Sequence, residues 1–224
     1  MYFRWLKQAQ EHGPAAGGGR AMPGGAAGQA SEAIVVFGGW AVGPQVFAHL
    51  SGPQDILFAS DYTALEAELP DLSAYDSVTL VAWSFGVASY AHWQQSRPDP
   101  FARKVAVNGS LSPVSRNTGI PPAIFRRTVE TLDAASFQQF LTRVFGAPQP
   151  DQPLDVAARR AELLAVEARG DAPHVAFDRV WISSADKIFP PANLARAWEG
   201  QPVRSIDAPH APFDWFSSWE ALLQ

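Results

Sequence analysis

The chain has 224 residues, 47% hydrophobic and 17% charged, which is enough apolar material for one core with a modest inserted subdomain. A net charge of −5 with scattered basic residues excludes the concentrated basic face of a nucleic-acid binder, and the lack of cysteine excludes disulfides, thiolate metal sites and a cysteine nucleophile. No apolar run reaches membrane-spanning length and residues 1–25 lack the apolar stretch of a signal peptide, so a cytoplasmic protein is expected.

In chain order, residues 13–30 (GPAAGGGRAMPGGAAGQA) hold too little apolar surface to order themselves. Residues 1–30 are therefore expected to form a flexible N-terminal segment, with Tyr2, Phe3 and Trp5 as a loosely docked arm. The folded domain is expected over 31–224. Ala33–Phe37 (AIVVF) is a continuous apolar run ending at Gly38-Gly39, the pattern of a buried strand and tight turn. Ile56–Phe58, Val78–Ala82, Val105–Val107, Val180–Ser183 and Val203–Ile206 read as further strands. Helices are expected over Val87–Gln95, from Pro191 through Trp198, and over 212–223. Short apolar strands separated by helical segments predict a mostly parallel α/β sheet. Residues 120–169 depart from this alternation: Phe125, Val129, Leu132, Phe137, Phe140, Leu141, Val144 and Phe145 follow helix-hairpin spacing. A helical lid, at about 111–172, is expected after the strand that ends near Asn108.

Ala82-Trp83-Ser84-Phe85-Gly86 resembles the strand-to-helix nucleophile elbow, G-x-S-x-G, with alanine at the first small position. Such a serine needs a base. Of the five histidines, His12 falls in the N-terminal segment, His49 and His92 in helical stretches, and His174 in a loop before a strand. His210, after the last strand, holds the base position in the chain order Ser, acid, His. Asp186 lies past the carboxyl end of its strand, where catalytic groups collect in open α/β sheets. It is the favoured acid, with Asp207 as the fallback. The backbone N–H groups of Phe85 and Trp40 are candidate oxyanion donors, the latter in a glycine-led loop that lets the backbone approach a substrate. No H-E-x-x-H spacing suggests a metal enzyme.

FGGWAVGPQ (37–45), LVAWSFGV (80–87), AVNGS (106–110), GIPPAIF (119–125), WISSADKIFPPAN (181–193) and APHAPF around His210 together resemble the compact pimeloyl-[acyl-carrier protein] methyl ester esterases of biotin synthesis. That resemblance implies an α/β-hydrolase fold with some flanking helices reduced to loops. It also implies a cofactor-free serine carboxylesterase acting on pimeloyl-acyl-carrier protein methyl ester through Ser84, His210 and Asp186. The acyl pocket is then expected to be lined by Trp40, Trp83, Phe125, Phe137 and Phe140. The acidic carrier is expected to meet Arg126, Arg127, Arg143, Arg159 and Arg160 near the lid. The protein is expected to act as a monomer. A generic small-ester or thioester hydrolase and a non-catalytic binding protein on the same fold remain the competing readings.

Overall fold

The computed structural model describes residues 1–8 and 31–224. The expected flexibility of 13–30, and His12, lie outside the described residues. Among the described residues the sheet has seven strands in the order β1-β3-β2-β4-β5-β6-β7. They are β1 (Tyr2–Lys7), β2 (Glu32–Phe37), β3 (Asp55–Ser60), β4 (Ser77–Trp83), β5 (Arg103–Val107), β6 (Arg179–Ser183) and β7 (Val203–Ile206). All neighbouring strands run parallel except β1, which pairs antiparallel with β3.

The strand β1 corrects the expectation of a loose arm. In YFRWLK the side chains alternate, so Phe3 and Trp5 turn inward while Tyr2 and Arg4 face out. Phe3 meets Phe37 and Trp93 edge-on at 5.9 and 5.8 Å, and Trp5 lies 6.1 Å from Tyr75. A short period-two pattern on a sheet edge is what fixes this segment.

Parallel strands bury both faces, and the sheet separates two cores. Val35, Phe37, Leu80 and Ala82 face one of them, together with α1 (Phe85–Gln94) and α5 (Pro191–Ala197). Ile34, Val36, Val81 and Trp83 face the other, covered by Phe47 of a short 3-10 turn and by Trp219 and Leu222 of α6 (Trp219–Leu223). The flanking helices are reduced: a four-residue 3-10 turn lies between β2 and β3, and turns and irregular chain join β3 to β4. The expected closing helix over 212–223 is broken. It consists of a 3-10 turn at Phe213–Trp215, extended backbone at Phe216, and the five-residue α6, whose N-cap Ser218 accepts a hydrogen bond from the Ala221 N–H at 3.2 Å.

Between β5 and β6 lie α2 (Pro122–Glu130), α3 (Ala134–Phe145) and α4 (Val156–Arg169). A capping box of Asp133 and Ser136 opens α3, and Gly146 at φ 73° closes it in the left-handed conformation that glycine adopts without strain. Their inward residues, Phe125, Val129, Phe137, Leu141, Leu163 and Val166, join the core on the α1 side of the sheet. The three helices thus form a cap beside the carboxyl end of β4. Among the described residues no helix is long and apolar enough to cross a membrane.

Candidate active site

Strand β4 delivers its chain directly into α1 through Ser84, which sits at φ 59°, ψ −128°. A non-glycine residue there costs about 1–3 kcal/mol and persists only where the surroundings enforce it. Here the Ser84 N–H donates to the Val107 carbonyl at 2.9 Å, and its own carbonyl accepts from the Val87 N–H at 3.1 Å. Small neighbours make the turn possible. A Cβ on Gly86 would stand 2.2 Å from the Phe37 carbonyl oxygen and 2.7 Å from that of Gly38, and one on Gly109 would stand 2.2 Å from the Ser84 carbonyl oxygen. Both obstacles are backbone, so relief requires moving α1 away from β2. Gly86→Ala is expected to cost about 3 kcal/mol or more by overpacking, read as a drop in the urea unfolding midpoint. A variant of wild-type stability would contradict this close approach.

Ser84, His210 and Asp186 are 5%, 2% and 6% exposed and form one hydrogen-bonded chain. The His210 Nε2 lies 3.0 Å from the Ser84 Oγ, and Nδ1 lies 2.8 Å from Asp186 Oδ2. With Nδ1–H donating to the carboxylate, Nε2 is left as the acceptor of the serine proton. The other oxygen, Asp186 Oδ1, accepts from the Ile188 and Phe189 N–H groups at 2.7 and 3.0 Å, so the carboxylate cannot rotate freely. The fallback acid, Asp207, instead accepts from the Ser184 hydroxyl at 3.0 Å. The carbonyl of His210 is held by Trp83 Nε1–H at 3.0 Å and by Asn108 Nδ2–H at 2.9 Å. The remaining described histidines are engaged elsewhere or exposed: His49 bonds the Phe213 carbonyl, His92 bonds the Gly170 carbonyl, and His174 is exposed.

A cavity of about 70 Å³ opens beside Ser84. Trp40, Phe125 and Phe140, three of the five rings named for the acyl pocket from the sequence, line it together with Phe85, Ile120, Ile124, Leu163 and Ile188. Thr128 contributes a hydroxyl already donated to the Ile124 carbonyl at 3.1 Å. Phe85 is the first residue of α1, where an N–H has no intrahelical acceptor. The Trp40 N–H makes no hydrogen bond to a backbone group among the described residues.

Two expected pocket residues lie elsewhere. Trp83 is not part of the cavity lining: as the residue after Ala82 on a strand, it points to the opposite face of the sheet. There it packs against Phe47 and Phe213 and grips the His210 carbonyl. Phe137 is buried behind the lining, stacked on Phe140 at 6.1 Å and edge-on to Trp40 at 6.2 Å.

The arginines also divide. Arg126, Arg127 and Arg143 are exposed on α2 and α3, with Arg143 at the cavity. Arg159 is not free for a partner protein: it pairs at 2.6 Å with Glu162, a carboxylate only 1% exposed. Arg160 donates to the Val129 and Leu132 carbonyls at 2.9 and 3.0 Å and ties α4 to the end of α2. Sequence reading missed Lys187, which also lines the cavity. Its place directly after Asp186 was the available signal. It also missed Glu162, whose carboxyl is pushed up by burial against the opposing effects of the Tyr62 N–H bond and Arg159.

The parallel sheet, the serine on the strained turn after β4 and the helical cap define an α/β hydrolase. Residues 26–222 match the family model described as "Pimeloyl-ACP methyl esterase BioG", and the chain belongs to that family. The crystal structure of BioG from Haemophilus influenzae is similar, with a TM-score of 0.77 and 32% identity, covering 87% of this chain and 95% of that one. A malonyl-[acyl-carrier protein] O-methyltransferase of Bacteroides fragilis is 34% identical over 186 residues. That match covers 75% of this chain but only 36% of the methyltransferase, so the chain spans about a third of that relative's length. An esterase from Exiguobacterium antarcticum shares the fold at a TM-score of 0.57 and 12% identity. The protein is thus an esterase-type enzyme of the BioG family.

Proposed function

We propose that the protein hydrolyses the methyl ester of a pimeloyl group borne on acyl carrier protein, with Ser84 as nucleophile, His210 as base and Asp186 as its partner. The observation that carries the reading is the relay of 3.0 and 2.8 Å contacts ending on a serine at an apolar cavity. The family match supports the substrate. A relative named for methylating a carrier-bound acyl group adds to it, because its name concerns the same kind of carrier.

The chemistry follows from the geometry. The His210 Nε2 takes the Ser84 proton as Oγ adds to the ester carbonyl. The carbonyl oxygen becomes an oxyanion facing the Phe85 and Trp40 N–H groups. The imidazolium returns its proton to the methoxy group, and methanol leaves. Water enters, gives a proton to His210 and attacks the acyl-serine. The carboxylic acid is released and the Ser84 hydroxyl is restored. The carboxylate of Asp186 stabilises the transient imidazolium and holds the tautomer. A chain of methylenes suits walls made of Trp40, Phe125, Phe140, Ile124 and Leu163, and every group named comes from a single chain.

The carrier is expected to dock at the exposed cations of α2 and α3. Its acidic surface would pair with Arg126 and Arg127, with Arg143 nearest the entering acyl arm. Arg126→Glu combined with Arg127→Glu is expected to lower kcat/KM for the carrier-bound ester by about tenfold or more. The same change is expected to alter turnover of a short aryl ester by much less. Equal losses on both substrates would favour a generic small-ester hydrolase that ignores the carrier.

A further inference from the structure

We infer that Tyr62, held by the cap helix α4, is a positioning residue that fixes the loop presenting the Trp40 N–H to the oxyanion. The inference rests on the esterase reading above and adds to it a residue outside the relay.

The loop in question contains Gly38-Gly39, two consecutive residues with no side chain to hold their peptide planes. Gly38 is held on both sides of its Cα, through the Phe37–Gly38 peptide and through the Gly38–Gly39 peptide. The Gly38 N–H donates to the Ala59 carbonyl at 3.1 Å, and the Gly38 carbonyl accepts from the Tyr62 hydroxyl at 2.8 Å. The Tyr62 ring is fully buried and parallel to Phe37, with centroids 6.4 Å apart. Tyr62 follows Asp61, a non-glycine residue at φ 62° whose carboxylate accepts from the Thr63 N–H and hydroxyl at 3.2 and 2.7 Å.

The cap then grips Tyr62 from both sides of its backbone. Glu162 accepts from the Tyr62 N–H at 3.0 Å, and Arg169 donates to the Tyr62 carbonyl. The far end of the loop is tied to the same helix, because the Trp40 indole N–H donates to the Arg159 carbonyl at 3.0 Å. Arg159 in turn pairs with Glu162. One cap helix therefore fixes the loop at Gly38, through Tyr62, and at Trp40 directly. Between those points lies the Gly39–Trp40 peptide, which carries the N–H assigned to the oxyanion. Catalytic stabilisation depends on a donor already standing at the right place, and small misplacements are expensive in rate.

Tyr62→Phe removes a single hydroxyl and keeps the ring. In the full chain it is expected to lower kcat on a short aryl ester by about tenfold with KM changed less than about twofold. It is also expected to weaken binding of an alkyl boronic acid, which mimics the tetrahedral state, by a similar factor. A role in folding alone would leave the boronic acid affinity of the folded enzyme unchanged, and that result would overturn the proposal, as would wild-type kcat. Glu162→Ala, which frees the Tyr62 N–H, is expected to show the same split, and Glu162→Gln, which keeps an oxygen acceptor, to recover most of it. That pair decides the matter if Tyr62→Phe does not fold. Ser84→Ala is measured alongside. An inactive Ser84→Ala with an unimpaired Tyr62→Phe overturns the positioning role alone, whereas an active Ser84→Ala overturns the esterase reading and the proposal with it.

Discussion

Replacing Ser84 by alanine is expected to lower ester turnover by about 10⁴-fold or more while leaving the fold and its unfolding midpoint close to wild type. The loss is large because the serine hydroxyl is the attacking atom, so no acyl-enzyme forms and only the oxyanion donors and the cavity remain to assist water. The fold survives because the strained turn is held by backbone contacts, Ser84 N–H to Val107 and Val87 N–H to Ser84, which alanine keeps. Removing the hydroxyl frees His210 Nε2, which loses one hydrogen bond, worth about 1 kcal/mol. Turnover of a short aryl ester and circular dichroism on the same preparation check both halves. Retained turnover would remove Ser84 from the mechanism.

Asp186→Asn should come close to the same loss, about 10⁴-fold in kcat, for a different reason. The asparagine keeps an oxygen for the Ile188 and Phe189 N–H groups, so the loop stays in place. Its amide N–H₂ then faces His210 Nδ1, which must become the acceptor. The ring proton moves to Nε2, where it points at Ser84 and leaves no base. Asp207→Asn, by contrast, alters a carboxylate that receives the Ser184 hydroxyl, and its turnover is expected within about threefold of wild type. The two variants together decide between the acids that chain order left open. A severe loss in Asp207→Asn with an active Asp186→Asn would reverse the assignment.

The parts of this site that local pattern determines were legible in the sequence. Apolar runs placed the inner strands because a parallel sheet buries both faces, and the site residues follow from where those strands end. Ser84, Asp186 and His210 each stand just past the carboxyl end of a strand, so chain order and strand position sufficed to bring them forward. What was misread depends on facing. Trp83 neighbours the nucleophile in sequence, yet strand alternation from Val81 sends it to the opposite core. Phe137 and Phe140 both sit on the inner side of α3, but only Phe140 reaches the cavity, a distinction set by how α3 packs on Trp40.

Tertiary partners were the less legible part. The Arg159 and Glu162 pair has the i,i+3 spacing of an ordinary surface ion pair. Its burial arises because α4 packs on Tyr62 and Trp40, which lie far away in the chain. Similarly, YFRWLK reads as an isolated arm until β3 supplies the edge that pairs with it.

The proposed reaction is Ser84-dependent removal of the methyl group from a carrier-bound pimeloyl ester. The direct measurement incubates the purified protein with pimeloyl-acyl-carrier protein methyl ester and follows the mass of the intact carrier, with monomethyl pimelate and a short aryl ester as companions. Rapid loss of the ester methyl from the carrier-bound substrate is expected, and it is expected to be abolished in Ser84→Ala. Cleavage of the small esters alone, with the carrier-bound ester left intact, would contradict it.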